Sequence, residues 1–418
     1  MSMPMPRPRR KNPVLRTRLA TLPPPSRGRI ALGLTAAAAR GRFELQTCAD
    51  CGTVQYPPRE ACRECLSDAL PWHEQSGAGE LLSQTTLHHS NDLFFRERLP
   101  WRLGLVKLDA GPTLIVHLHP DVAAAPARVT VAARLDRSGQ AVLIALPDPA
   151  TPHMNDDPMM REMSCDPRFR KILVTDGKTA VGQALVRALI GAGADIVWVG
   201  HAEPWKKLPG FEQLAELPQV TLVPLDLTSQ KSVESLGGEI GGKVDIIVNN
   251  AEVHRNYGIA ARRGTDAARL EMDINYFGLL RLAQAFGPAL SGRAADGAAN
   301  AIAWVNLLSV YALSNFPAHG TYSASKAAAY SLSQCLRAEL RPAGIRVVDV
   351  FAGPIDDEWN QLLPPPKLAP AALANAIVKA LRDGVEDVYP GDVAQEWFRR
   401  WRDDPKVLER ELAAGDGR

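Results

Sequence analysis

The rhythm of apolar and polar positions changes near residue 170. Before it, short runs at 79–87, 103–108, 113–118, 128–135 and 140–146 carry strand-type patterning. They are separated by the turn signals Ala110-Gly111-Pro112 and Asp136-Arg137-Ser138-Gly139, and together they predict a small all-β domain. After it, apolar runs at 171–175, 195–199, 220–224, 244–248, 303–307 and 346–350 alternate with helical patterns, the first of them at 181–192. That alternation predicts an α/β domain, a doubly wound parallel sheet covered by helices.

Between the two rhythms, residues 146–170 hold Pro147, Pro149, Pro152, Asp156, Asp157, Pro158 and Pro167 with no apolar period, and read as a linker. The first residues hold Arg7, Arg9, Arg10, Lys11, Arg16, Arg18, Arg27 and Arg29 with many prolines and no acid, so a disordered basic tail is expected. An organelle transit peptide fits poorly, because those prolines break an amphipathic helix. The expected organisation is a tail at 1–31, an all-β domain at 32–147, a linker at 148–169 and an α/β domain at 170–418. Residues 393–412, with Trp397, Phe398, Trp401, Val407 and Leu408 among charges, read as one amphipathic helix.

Composition narrows the class without changing this picture. A chain of 418 residues, 46% apolar and 22% charged, is long enough for two soluble domains. A net charge of +2 gives no reason to expect nucleic acid or a membrane surface as partner. No run reaches the roughly 20 apolar residues of a membrane helix, and no secretory pattern is present, so a cytoplasmic protein is expected.

Two groups of residues carry chemistry. Cys48, Cys51, Cys62 and Cys65 form two Cys-x-x-Cys knuckles, a spacing that brings four thiolates to one tetrahedral ion. Zinc is the expected occupant, with iron or disulfides as alternatives. Four thiolates leave no open position, so the ion is expected to be structural. Cys165 and Cys335 are left as free thiols, the first in the linker and the second on an apolar helix face. In the second half, Tyr322 and Lys326 are four residues apart in a helical stretch and share one face. An ammonium beside a phenol lowers the phenol pKa, which turns Tyr322 into a usable proton donor or acceptor.

The first half resembles a bacterial family in which a rubredoxin-like zinc ribbon precedes an OB-fold barrel, often called acyl-CoA-associated OB-fold proteins. The likeness rests on Cys48-Ala49-Asp50-Cys51-Gly52, on Tyr56-Pro57-Pro58-Arg59 and on the strand run 103–116. It implies a module that docks on a thiolase, hydratase or aldolase acting on CoA thioesters; the plainer alternative is a module that only stabilises the fusion. OB folds also bind single-stranded nucleic acid. Here Phe94, Phe95, Arg96, Arg98, Trp101 and Arg102 are interleaved with Asp92 and Glu97, which suits a protein or acyl contact better than stacked bases.

The second half resembles the short-chain dehydrogenase/reductase family, which implies a Rossmann-type sheet with the pyrophosphate at the turn between the first strand and helix. The likeness rests on Asn249-Asn250-Ala251, Asp226 in Leu225-Asp226-Leu227-Thr228, Asn275 in Asn275-Tyr276-Phe277-Gly278, Ser309, and Tyr322-Ser323-Ala324-Ser325-Lys326, all in family order. It implies catalysis by Tyr322 as acid or base, Lys326 as the cation that also reaches the cofactor ribose, Ser309 on the substrate oxygen, and Asn275 on a proton-relaying water. It implies cofactor contacts at Thr175, Gly177, Lys178, Val181, Gly182, Asp226, Leu227, Asn250, Ala251, Tyr322, Lys326, Gly353 and Ile355. NAD and NADP stay undivided, because Val199-Gly200-His201 offers neither an acid nor a base, and Lys206 and Lys207 are ambiguous. The helices near Leu270 and Tyr322 imply a homodimer or homotetramer.

Two departures stand out. The glycine loop reads Thr175-Asp176-Gly177-Lys178-Thr179-Ala180-Val181-Gly182 and keeps only its last glycine in register. Glu252 replaces the glycine that normally ends Asn-Asn-Ala-Gly near the cofactor ribose. They open a second reading, a scaffold subunit impaired in dinucleotide binding. Ala352-Gly353-Pro354-Ile355-Asp356 leads into a short lid ending at Leu363-Pro364-Pro365-Pro366, which suits a large substrate such as a 3-hydroxyacyl-CoA or its 3-keto partner.

Overall fold

The computed structural model describes residues 1–7, 20–202, 210–261, 263–295 and 302–415. Arg9, Arg10, Lys11, Arg16 and Arg18 of the basic tail, and Lys206 and Lys207, lie outside the described residues. The chain divides into two compact units, one mostly up to Cys165 and the other mostly from Asp166 onward.

The first unit opens with helix α1 (Leu32–Ala39) and a three-stranded sheet of β1 (Glu44–Thr47), β2 (Val54–Gln55) and β3 (Trp72–Glu74), ordered β2-β1-β3. Five strands then close a barrel in the order β4-β5-β6-β8-β7: β4 (Ala78–Leu87), β5 (Trp101–Leu108), β6 (Thr113–Leu118), β7 (Ala127–Leu135) and β8 (Ala141–Pro147), with the short helix α2 (Leu93–Arg96) between β4 and β5. Alternation along β5 and β6 puts Val106, Leu108, Leu114, Val116 and Leu118 inside. Closure demands glycine at one point: a Cβ on Gly104 would lie 2.6 Å from both Leu81 and Leu118. A register shift between Leu81 and Ser83 bends β4, as a bulge does in a small barrel.

Two expectations for this unit need correction. The 148–165 stretch is not a bare linker: it forms a 3-10 turn at Met154–Asp156 and helix α3 (Pro158–Glu162), and Met160 packs against Ile144 and Leu146. Asp157 caps α3 by accepting from Met159 N–H, and Pro158 sits at a helix start, where its missing N–H costs nothing. Proline here starts a helix as readily as it breaks one. The tail also docks where it is described: Ser138 donates to the Pro23 carbonyl at 2.6 Å, and Met5 is buried.

The second unit is built on a seven-stranded parallel sheet in the order β11-β10-β9-β12-β13-β14-β15. Its strands are β9 (Lys171–Val174), β10 (Ile196–His201), β11 (Val220–Pro224), β12 (Ile246–Asn249), β13 (Ala303–Ser309), β14 (Arg346–Ala352) and β15 (Asp387–Val388). Helices α4 (Ala180–Gly191), α5 (Phe211–Leu214), α6 (Gln230–Ile240), α7 (Asp266–Met272), α8 (Gly278–Ala294), α9 (Gly320–Leu340), α10 (Pro370–Asp383), α11 (Gly391–Asp403) and α12 (Pro405–Ala414) complete the unit. β13 and β14 are buried along their whole length. The strand order reverses between β9 and β12, and ligands in such sheets bind beyond the carboxyl ends of the strands at that reversal.

The expected single C-terminal helix is two. Asp404 accepts from the N–H groups of Lys406 and Val407, and Pro405 at the first turn cannot continue α11, so the chain restarts as α12. Trp397 and Leu408 are buried and Val407 is exposed. Cys335 is exposed, not on the apolar face of α9, whereas Cys165 is buried. No helix among the described residues is long and apolar enough to cross a membrane.

Candidate functional site: a carboxylate between phenol and ammonium

In the first unit the four cysteine sulfurs lie within 4.8 Å of one another, with Cys48–Cys65 and Cys51–Cys62 at 3.5 Å. Zinc–sulfur bonds of about 2.3 Å in tetrahedral array put sulfurs about 3.8 Å apart, so the four residues fit one zinc ion. Each knuckle closes on a backbone bond, Gly52 N–H to Cys48 C=O and Leu66 N–H to Cys62 C=O. Both turn residues take left-handed backbone, natural for Gly52 (φ +73°) and costly for Leu66 (φ +62°).

The same unit holds a cavity of about 200 Å³ lined in part by Phe94, Phe95, Trp101, His117, Arg27 and Met159. Phe94, Phe95 and Trp101 pack edge to face, and the Trp101 indole N–H donates to His117 Nδ1 at 2.7 Å. Burial, with the Arg27 charge second, pushes the His117 pKa down to about 4, so the imidazole is neutral and accepts that bond. Arg98 is tied to Glu162 at 2.9 Å and stacks on Phe94.

In the second unit, the loop after β9 ties the ends of two strands together. Thr175 Oγ accepts from the N–H groups of Asn250 and Ala251, and Asn250 reaches back to Asp176, donating to its carbonyl at 2.7 Å. Gly177 lies against β10, where a Cβ would come within 2.0 Å of Val199, and Gly182 lies against Asp176 O, where a Cβ would come within 1.9 Å. The surviving glycine is therefore a packing glycine. Thr179 caps α4 through the Gly182 N–H, which leaves the first N–H groups of the helix, at Ala180 and Val181, for an anion. The Lys178 ammonium sits 5.8 Å above the Phe211 ring, and the Asp176 carboxylate accepts from Lys178 N–H.

Asp226 and Leu227 are spent on structure. Asp226 accepts from the Thr228 N–H and hydroxyl, and Leu227 is buried in the core against Gly278. Burial, then Lys178, lowers the pKa of His201, which would suit a neutral ring.

The far end of the site lies where β12, β13 and β14 meet α9. Ser309 ends β13, accepts from Tyr311 N–H, and lines a nearly filled cavity of about 10 Å³ with Tyr322, Glu252, His254, Gly353 and Ile355. α9 places Tyr322 and Lys326 one turn apart, both buried. A π-type turn at Asp273–Phe277 carries Asn275 inward, as such turns often do at functional positions. Its amide donates to Val253 C=O at 2.9 Å and to Ser325 Oγ at 2.8 Å, and its oxygen accepts from Val253 N–H at 2.9 Å. Both amide protons are thus committed to protein, so Asn275 clamps residue 253 and offers a water only its remaining lone pair.

Glu252 decides the electrostatics. Its Oε2 is 2.6 Å from Lys326 Nζ and accepts from the Tyr322 hydroxyl at 3.0 Å, while Lys326 also donates to Leu307 C=O at 2.9 Å. The Tyr322 pKa is raised well above its ordinary value, first by burial and then by the Glu252 charge. The expectation that Lys326 lowers it fails here, because the carboxylate neutralises the ammonium and faces the phenol itself. Asp357 in the following loop is pushed up to about 6, by burial and then by Glu252.

A histidine pair was not singled out from the sequence. His254 stacks on the Tyr322 ring at 3.7 Å between centroids and bonds through its Nε2 to His319 Nδ1. Both are buried, and burial depresses the pKa of each, that of His319 to about 4. Two histidines lying 65 positions apart carry no pattern in one dimension.

Residues 170–366 match the family model for short chain dehydrogenase. Residues 35–71 match that of the ChsH2 rubredoxin-like zinc ribbon domain, and 72–137 that of the ChsH2 C-terminal OB-fold domain. A short-chain dehydrogenase of Penicillium crustosum, PC-15, is 32% identical over 209 residues, 47% of this chain and 70% of the relative. Dehydrogenase/reductase SDR family member 7B of Mus musculus is 30% identical over 190 residues, 44% of this chain and 56% of that protein. A solved short chain dehydrogenase from Burkholderia cenocepacia, in complex with NADP, is 33% identical with a TM-score of 0.54, covering 59% of this chain and all but 2% of its own (98%).

The chain belongs to the short-chain dehydrogenase family. Its second unit is of the NAD(P)-dependent oxidoreductase class, and its first is a ChsH2-type zinc ribbon and OB-fold with a structural zinc site. At the α4 end, the N–H groups of Ala180 and Val181 are the groups that could hold a dinucleotide phosphate. At the other end Glu252 already occupies the ammonium of Lys326.

Proposed function

We propose that the protein oxidises a 3-hydroxyacyl-CoA, or reduces the 3-ketoacyl partner, with a nicotinamide dinucleotide. The observation that carries this is the convergence of Ser309 and Tyr322 on one cavity, with Lys326 a turn from Tyr322 on α9, in a chain that also bears an acyl-CoA-associated type of module. A bound nicotinamide supplies or accepts the hydride. Ser309, already accepting from Tyr311 N–H, has its own O–H to give to the substrate oxygen. Tyr322, held as a phenol, passes its proton to that oxygen in reduction and regains it in oxidation. Residues Thr175, Gly177, Lys178, Val181, Gly182, Asn250, Ala251, Gly353 and Ile355 line the cofactor side; Asp226 and Leu227 support it by fixing the loop after β11. The aromatic cavity of the barrel, with Arg27 at its lining, suits an acyl or pantetheine chain. Leu270 and Phe277, exposed on and beside α7, support a homodimer or homotetramer. Docking of a thiolase, hydratase or aldolase on the barrel unit belongs to the same proposal.

Purified protein with NAD+ or NADP+ and a panel of 3-hydroxyacyl-CoAs should show a rise in absorbance at 340 nm. Turnover of a free alcohol with none of the thioesters rejects the substrate class. A second reading, a scaffold subunit that does not turn over, is favoured by the Glu252–Lys326 ion pair; absence of any nucleotide binding together with copurification of a thioester enzyme would decide for it.

A further inference from the structure

Glu252 is held in place from both sides. Upstream, Asn250 is bound to Thr175 and Asp176, which fixes the chain as it leaves β12. Downstream, Asn275 grips both backbone groups of Val253, and Glu271 accepts from Arg255 N–H at 2.8 Å. The side chain of Glu252 is thereby directed onto α9, where its carboxylate meets Tyr322 and Lys326. Exposure is 10% for the Glu252 side chain and 3% for that of Lys326, so water does not separate the pair. With one N–H of the ammonium on Leu307 C=O and one on Glu252, a single N–H is left for anything else.

We propose that Glu252 is an internal competitor for the dinucleotide: its carboxylate latches Lys326 and Tyr322 in place of ribose hydroxyls, and the cofactor binds only when the side chain swings out. The inference rests on the dinucleotide reading given above and deepens it. A single carboxylate oxygen, Oε2, takes both the ammonium and the phenol O–H, and a ribose hydroxyl oxygen placed there would take the same two partners, so the two are alternatives for one ammonium and one phenol. The carboxylate makes the stronger, charge-assisted bond to the ammonium. Exchanging it for a neutral diol lowers the apparent affinity by the fraction of molecules in which the latch is open. Two features keep the open state within reach. Asp357 is a like-charged neighbour that disfavours the carboxylate where it sits. The loop bearing Asp357 touches the same segment, through Asn256 to Trp359 C=O and through the Arg255 guanidinium 5.0 Å above the Trp359 ring, so the residues just after Glu252 are joined to that loop by direct contacts.

Calorimetric titration of the full chain with NADH and with NADPH tests this, using wild type, Glu252→Gln and Glu252→Gly. The expected result is a Kd at least tenfold lower in Glu252→Gly than in wild type, with Glu252→Gln between them because it drops the charge and keeps the bulk. A merely structural role for Glu252 moves the affinity the other way. If wild type binds and Glu252→Gly binds no tighter, the latch is wrong and the dinucleotide reading stands. If no variant binds either nucleotide, both fall. Should Glu252→Gly not fold, as judged by its melting curve, Glu252→Ala replaces it in the same comparison.

Discussion

The zinc ribbon and the sheet unit both gather their functional side chains by backbone turns, but they differ in what a single residue is free to change. In the ribbon, four identical ligands at fixed spacing make one tetrahedron, and the non-glycine at one knuckle, Leu66, costs strain without moving a sulfur. In the sheet unit, one glycine-to-glutamate departure leaves the frame of Asn275, Ser309, Tyr322 and Lys326 standing and reverses the electrostatics at its centre. A metal site is specified by its ligands; a proton-transfer site is specified by everything within reach of the proton.

The sharpest way to separate the two regions is to remove the metal. Apparent zinc-binding free energies of about 10–16 kcal/mol are lost on chelation or in Cys62→Ser, so calorimetry should lose the unfolding transition of the ribbon and keep one for the sheet unit. A chain that melts unchanged and carries no zinc by elemental analysis would break the comparison. In the sheet unit the matching loss is chemical: Tyr322→Phe should lower kcat/KM by about 10²–10⁴-fold with the melting temperature nearly unchanged, followed at 340 nm. Undiminished turnover would remove Tyr322 from the chemistry.

Asn275→Ala tests whether the clamp on Val253 is structural as well as positional. It abolishes three hydrogen bonds, one buried and two part-buried, and should cost about 2–4 kcal/mol in urea unfolding; a change below measurement error would mean the 252–255 segment is held by other contacts.

Acid should weaken the sheet unit through its buried histidines. Their folded pKa values lie below the ordinary value near 6.5, so the stability they contribute is present above that value and is lost as pH falls toward about 4 for His319. For His319 the loss is on the order of 3 kcal/mol. Asp349 and Asp357, raised to about 6, act in the opposite sense: their contribution is full below pH ~4 and is lost as pH rises through about 6. His319→Asn should therefore flatten the fall in melting temperature between pH 6.5 and 4.5; an unaltered slope would place the acid sensitivity elsewhere. Smallest of all, Leu66→Gly should stabilise the ribbon by about 1 kcal/mol, read as a small rise in its melting midpoint, whereas a lower midpoint would mean the left-handed turn carries no strain.

Much of this protein was readable along one dimension. Period-two runs located the barrel strands within a residue or two, continuous apolar runs located six of the seven sheet strands and missed the two-residue β15, and two Cys-x-x-Cys knuckles placed the metal site, because each signal is local and repeats at the period of its own backbone. The misses share a cause. Proline at 158 reads as interruption and proline at 405 as helix interior, yet the acid before each one caps a helix that the proline then starts. His254, His319 and Glu271 carried no motif, since partners 65 and 50 positions apart meet only when the segment after β12 and helix α7 are packed against α9 and the turn before it.

The sequence alone determined which side chains this chain has for the work: four thiolates, a phenol and an ammonium one turn apart, and an acid where a glycine is usual. Only the folded chain decided what that acid does. Charge acts through distance, and the 2.6 Å between Glu252 and Lys326, across 74 positions of sequence, exists only once a strand end and a helix have been brought side by side.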